Sequence, residues 1–411
     1  MIYFDHAATT PCSKEVVEAM LPYFYEKFGN SSSIYKIGRE ARSAVEDSRQ
    51  KIAKILGAEN QNEIIFTSGA TESNNLAIKG VVESVAKTIG GPPHVITTQI
   101  EHHCVLDVVK YLEKTFGVEV TYLSVSKDGL IDAKELEKSI KEKTALISVM
   151  MGNNEMGALQ PIAEIGKIIK KIKAQRQKDG NKTPLIFHTD AVQVFAFESV
   201  DVKDLGVDML SLTAHKFYGP KGIGVLYARN GVSFAPQQLG GAQERGRRAG
   251  TENIPYIVGM ANAMDLADSQ RKDYRQKTQK ITDYLIERVK KEIPNTELIG
   301  PEEKEKRLPH IASFLFKGVE GESVLINLDM LGIACSSGSA CTSGSLKPSH
   351  VTKSMGYGDL EAHGAIRFSL GKLNKKEDVD KLMEHLPGII NKLRVISPIT
   401  VENSNSGTDS D

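Results

Sequence analysis

Between residues 63 and 228 short apolar runs alternate with segments of helical character, and this alternation narrows the possible folds more than any other property of the chain. The runs fall at 64–67, 95–99, 118–123, 145–150, 185–189, 209–213 and 224–227. Most are continuous and apolar, as expected of strands covered on both faces by helices. Between them lie amphipathic stretches; Ile162, Ile165, Ile169 and Ile172 recur at helical spacing after Pro161, a residue suited to a first helical turn. The pattern predicts an α/β fold with a mostly parallel, seven-stranded sheet.

The texture changes after Gly250-Thr251-Glu252-Asn253. A long, charged helical stretch over 255–292 leads toward a smaller α+β C-terminal domain. The expected division is an N-terminal segment, 1–15, packing with the small domain; a large domain, 16–259; the small domain, 260–393; and a polar tail, 394–411, too poor in apolar residues to order itself.

Composition excludes several classes. Its 52 basic and 52 acidic residues cancel, so no net field favours nucleic acid or an anionic membrane. No apolar run approaches the roughly 20 residues of a membrane span. The start, Met1-Ile2-Tyr3-Phe4-Asp5-His6, has no basic region followed by an apolar one, and no secretory signal is expected. The four cysteines, Cys12, Cys104, Cys335 and Cys341, have neither CxxC nor disulfide-framework spacing, which suits a reducing, cytoplasmic setting.

Five motifs carry chemistry. In Thr213-Ala214-His215-Lys216-Phe217-Tyr218 a lysine follows a buried strand. That is a poor choice for packing and a good one for a Schiff base with an aldehyde, although a surface lysine on a turn would look the same locally. In Thr67-Ser68-Gly69-Ala70-Thr71 a strand turns through glycine into a helix, whose free N–H groups suit a phosphate, or whose start Ser68 or Thr71 simply caps. Asp190, in His188-Thr189-Asp190, closes a buried strand, where α/β sheets bind ligands; capping of the next element is the plainer alternative. In Glu101-His102-His103-Cys104 the adjacent imidazoles point in different directions and lack a second metal-ligating pair, so one functional imidazole fits better than a metal site. Arg367, inside the apolar run Ala365-Ile366-Arg367-Phe368, needs a carboxylate, from a ligand or from the protein. Finally, Ser336-Ser337-Gly338-Ser339-Ala340-Cys341-Thr342-Ser343-Gly344-Ser345 sets one thiol in a loop composition, where thiols react; Cys335, after an apolar run, is expected to be buried. A phosphate cradle, a Schiff-base lysine, a strand-end aspartate, a carboxylate-binding arginine and a reactive thiol together describe pyridoxal phosphate chemistry on an amino acid.

From Tyr3-Phe4-Asp5-His6-Ala7-Ala8-Thr9-Thr10 to about residue 394, and most specifically at 213–222, 243–253 and 336–345, the chain resembles the cysteine desulfurases of the NifS/IscS type, within the class V aminotransferase group of fold-type I pyridoxal phosphate enzymes. The resemblance implies that Lys216 binds the cofactor, Asp190 pairs with its ring nitrogen, and His102 stacks on the ring and moves protons. It also implies that Asn154 and Gln193 bond near the phenolic oxygen, and that Ala70, Thr71, Thr213 and His215 line the phosphate site, with Thr251 reaching in from the other subunit of a homodimer. Arg367, with Asn154, would bind the carboxylate of L-cysteine, and Cys341 would receive the sulfur as a persulfide. An iron–sulfur scaffold protein of the IscU/NifU type, or another acceptor, would take it onward. Where the family often has Asn-Pro-Ser-Ser-x-His, this chain has Asn30-Ser31-Ser32-Ser33-Ile34-Tyr35, and its tail does not resemble the scaffold-docking end. A selenocysteine lyase or another class V aminotransferase keeps the same cofactor with a different reaction, but an aminotransferase has no need of the Cys341 loop.

Overall fold

The computed structural model describes residues 1–337 and 348–397. Cys341 and the polar tail beyond residue 397 lie outside the described residues. After a two-residue strand, β1 (Ile2–Tyr3), the chain lays down β2 (Ile64–Thr67), β3 (His94–Thr98), β4 (Glu119–Leu123), β5 (Thr144–Ser148), β6 (Ile186–Asp190), β7 (Met209–Thr213) and β8 (Gly224–Ala228). The last seven form one sheet in the order β2-β8-β7-β6-β5-β3-β4. Only β8 runs against its neighbours, so the sheet is mostly parallel, as the sequence predicts.

All strands of this sheet but β4 are buried along their length. Helices Ala70–Ile89 and His103–Phe116 cover one face, where Leu76, Val81 and Val109 meet Ile65, Val95 and Leu146. Helix Ile162–Lys178 and the first half of helix Ile254–Glu292 cover the other. Edge strand β4 is half-buried, and its charged Glu119 pairs with Lys141 and Lys143. Pro161 sits one residue earlier than expected, as the cap before Ile162.

Helix Ile254–Glu292 is 39 residues long, about 58 Å at the rise of an α-helix. Its first turns, from Ile254 to Ala267, belong to the large-sheet core. Ile281, Leu285 and Val289 belong to a second core. That core is built on β9 (Thr296–Ile299), β10 (Ile311–Phe316), β12 (Ser336–Ser337) and β13 (Ala365–Ser369), an antiparallel sheet in the order β12-β13-β10-β9. Helices Gly321–Asp329 and Lys376–Ile396 pack on it through Val324, Leu328, Leu382 and Leu386.

The N-terminus joins this second core. β1 pairs in parallel with β11 (Ile333–Ala334), and Phe4 meets Phe368 edge-on at 6.2 Å. Residues 5–9 then cross from the small sheet toward the carboxyl end of the large one.

Candidate active site

The carboxyl ends of β2, β3, β5, β6 and β7, residues 7–9 of the strap and Arg367 of β13 enclose a cleft of about 750 Å3. Ligands bind outside the carboxyl ends of strands in open α/β sheets. Ala70, Thr71, His102, Asn154, Asp190 and Gln193 all line the cleft. Thr213, His215, Lys216 and Arg367 line it as well. Thr251 does not: it is exposed, two residues before the cap of the long helix.

At its base β6 ends in Asp190, buried at 6 % exposure. One carboxylate oxygen accepts from Asn74 Nδ2 at 2.7 Å and the other from the N–H of Val192 at 3.0 Å. Lys216 follows β7 in a single 3-10 turn, Ala214–Lys216. Its amine donates to the carbonyl oxygens of Ala7 and Ala8, each at 2.7 Å. Gln193 donates to the same Ala7 carbonyl at 3.0 Å.

His102 caps helix His103–Phe116, Nδ1 accepting from the N–H of Cys104 at 3.2 Å. Burial holds the imidazole below its ordinary pKa; Lys216 pushes the same way and Asp190 opposes. The ring is therefore neutral at pH 7 and able to take a proton. His215 is neutral too, lowered to about 4 by burial, then by Lys216 and Lys221. Cys104, by contrast, is pushed up to about 12 by burial and then by Asp190, and is no nucleophile. Among the described residues, no three side chains of His, Cys, Asp and Glu converge as a metal site requires.

The turn before helix Ala70–Ile89 is capped by Gly69, not by Ser68 or Thr71, and no side chain covers the first N–H groups. This uncapped N-terminus suits an anion such as a phosphate. Gly224 makes room for the turn: a Cβ there would lie 2.6 Å from the Gly69 carbonyl carbon. At the far side Arg367, 2 % exposed, donates to the Asn154 carbonyl at 2.7 Å and to Asp5 at 2.8 Å. Among the described residues its Nε has no hydrogen-bond partner.

The residues before and after the Cys341 segment are tied to the cleft. Ser336 stands opposite Arg367 in the sheet register. Ser349 donates to Glu155 at 2.5 Å, and His350 Nε2 bonds the Glu101 carbonyl at 2.9 Å. Cys335 is partly buried, and burial followed by Asp5 pushes its thiol up to about 12. Two cleft residues that spacing did not flag are Thr9, against His215 at 3.2 Å, and the buried Glu155. Asp5 and Asn74 were missed as well. Polar residues in a loop or a first helical turn carry no sequence signal of a site.

A lysine and an aspartate at adjacent strand ends, an anion cradle and a buried arginine form the constellation of an amino-acid-processing enzyme. The chain belongs to the class-V aminotransferase family, whose pattern it matches over residues 2–382. Within that family its likeness is to cysteine desulfurases. It is 48 % identical to cysteine desulfurase IscS of Dictyoglomus turgidum over 98 % of this chain and 97 % of that one. Among solved structures, a NifS-like protein superposes with a TM-score of 0.85 at 37 % identity, covering 95 % of this chain and all of the other. SspA in complex with cysteine gives 0.77 at 36 % identity, covering 90 % and 99 %.

Proposed function

We propose that the protein is a pyridoxal phosphate-dependent cysteine desulfurase that converts L-cysteine to L-alanine and takes the sulfur onto Cys341. The observation that carries this reading is the convergence of Lys216, Asp190, His102 and Arg367 on one cleft, together with full-length likeness to cysteine desulfurases.

The residues fit the cofactor. The uncapped helix start at Ala70 and Thr71, with Thr213 and His215, holds a phosphate; Asp190, fixed by Asn74 and Val192, pairs with a ring nitrogen; Lys216 supplies the amine. When bound, pyridoxal phosphate supplies an electron sink for changes at the α- and β-carbons of an amino acid. Asn154 and Gln193 border the ring position, and Arg367 anchors the substrate carboxylate through the unpartnered Nε. Neutral His102 accepts and returns a proton, and the Lys216 amine holds one. The Cys341 thiolate attacks the substrate sulfur; the carbon–sulfur bond breaks, a sulfur–sulfur bond forms, and the β-carbon gains the proton, so that cysteine and a thiol yield alanine and a persulfide.

The same reading includes a homodimer. Leu21, Phe24, Tyr25, Phe28, Ile34 and Tyr35 are exposed along one stretch, more apolar surface than a monomer needs. A partner would cover it, and Thr251 would complete the partner's phosphate site. An iron–sulfur scaffold protein of the IscU/NifU type, or another thiol acceptor, would receive the sulfur.

The purified protein should be yellow and release sulfide and alanine in equal amounts from L-cysteine with a reductant. Cys341→Ala should keep the colour and lose sulfide release by at least about a hundredfold. A colourless protein, or full activity in Cys341→Ala, would overturn the reading.

A further inference from the structure

Arg367 is half committed before any substrate arrives. One terminal nitrogen is spent on the Asn154 carbonyl at 2.7 Å and the other on Asp5 at 2.8 Å. Among the described residues Nε alone is left without a partner, inside a buried guanidinium. Asp5 is itself held, since it bridges to Ser369 in the next β13 register position on the same face as Arg367. The arginine's charge is thus balanced by a fixed carboxylate, and Glu155 lines the cleft nearby.

We infer that Asp5 is a positioning residue that sets specificity: by occupying one lobe of Arg367 it limits the cleft to amino acids with a single carboxylate and turns away those whose side chain adds a second anion. This rests on Arg367 being the carboxylate anchor. A substrate carboxylate takes Nε and the remaining N–H of Nη2. A second anion on the same ligand would then find the other lobe of Arg367 already filled by the Asp5 carboxylate. Among the described lining residues the other cations are Lys216, bonded to Ala7 and Ala8, and Lys221, which acts on His215. Neither is available at the arginine end. Like charges brought together at a recognition site suppress the wrong ligand.

The test is equilibrium binding of L-alanine and L-aspartate to the holoenzyme, followed by the cofactor absorbance and by calorimetry, in the natural protein and in Asp5→Asn, Asp5→Ser and Asp5→Glu. The natural protein should prefer alanine. In Asp5→Asn the aspartate affinity should rise relative to alanine by at least about tenfold, and Asp5→Glu should restore the preference. Asp5→Ser gives the same readout if the asparagine variant fails to fold. An unchanged ratio in either neutral variant, or equal binding of both ligands by the natural protein, overturns the inference. Arg367→Gln separates the two levels: if it still binds alanine normally, the carboxylate anchor is wrong. Desulfurase activity does not enter the measurement.

Discussion

Asp190 owes its usefulness to Asn74, which lies one turn into the helix after the phosphate turn and bonds Asp190 Oδ2 at 2.7 Å. Hydrogen bonds to a charged group contribute roughly 1.5–3 kcal/mol. Asn74→Ala should therefore raise the dissociation constant for pyridoxal phosphate by about tenfold to a hundredfold, measured by spectral titration of the apoprotein. A parallel titration of Asp190→Asn should show a larger loss. Lys216, Asp190 and Arg367 were legible in the sequence because a charge at the end of, or inside, an apolar strand contradicts its surroundings. Asn74, Thr9 and Asp5 were not, because their work lies in distances to residues 116, 206 and 362 positions away. The choice of Gly69 over Ser68 or Thr71 as the cap was equally hidden, since all three are acceptable there by residue type.

Elements aim these residues by ending where they do. The turn after β2 and the reversed strand β8 touch through two glycines, and Gly224 is the one that admits no side chain. In Gly224→Val the added atoms should push the Gly69 turn off the cleft and lower stability by about 1–3 kcal/mol. Denaturant unfolding of the apoprotein should show the loss of stability, and cofactor retention on dialysis should fall with it. Gly91→Ala, a site where a Cβ meets nothing within 4 Å and where, as at Gly224, φ is not left-handed, is the uncrowded comparison. Strand positions were legible from apolar runs to within a residue or two, and the half-exposed β4 was read correctly in place if not in burial. The reversal of β8 was not legible, because direction depends on the connection and the chain between β7 and β8 is too short to be read as a crossover or a hairpin from residue types alone.

At the scale of the molecule, buried titratable groups set the range of pH in which the fold is stable. His6, His94 and His188 are buried and lowered to about 4, about 4 and about 3, chiefly by burial. Unfolding returns each toward 6.5, so as the pH falls below about 6.5 the unfolded chain gains protons that the folded one refuses, and stability is lost. Glu101 and Glu155 are raised to about 8 and about 7 by burial. Their folded forms keep protons that unfolding releases, so their contribution is complete below 4.5 and is lost as the pH rises to the folded values. Each group changes stability by at most about 1.4 kcal/mol per pH unit in its window. The melting temperature should peak near pH 6.5 and fall on both sides, and Glu155→Gln should flatten the alkaline side. A melting temperature constant from pH 5 to 8 would contradict this. The change in texture after residue 253 marks a second domain, and an N-terminal segment packing with it was expected; the pairing of β1 with β11 was not legible, because nothing local marks a strand partner some three hundred residues away.

That return also orders events in time. A chain leaves the ribosome from its N-terminus, so residues 5–9 wait for β13 before Asp5 meets Arg367 and Ala7 meets Ser369. The large sheet and Lys216 are in place well before then. An unfinished chain can thus own Lys216, the amine proposed to take the cofactor, while lacking both Arg367, the proposed carboxylate anchor, and Cys341, the proposed sulfur acceptor. On that reading synthesis completes last the parts that take sulfur from the substrate, and a truncated chain is left without them.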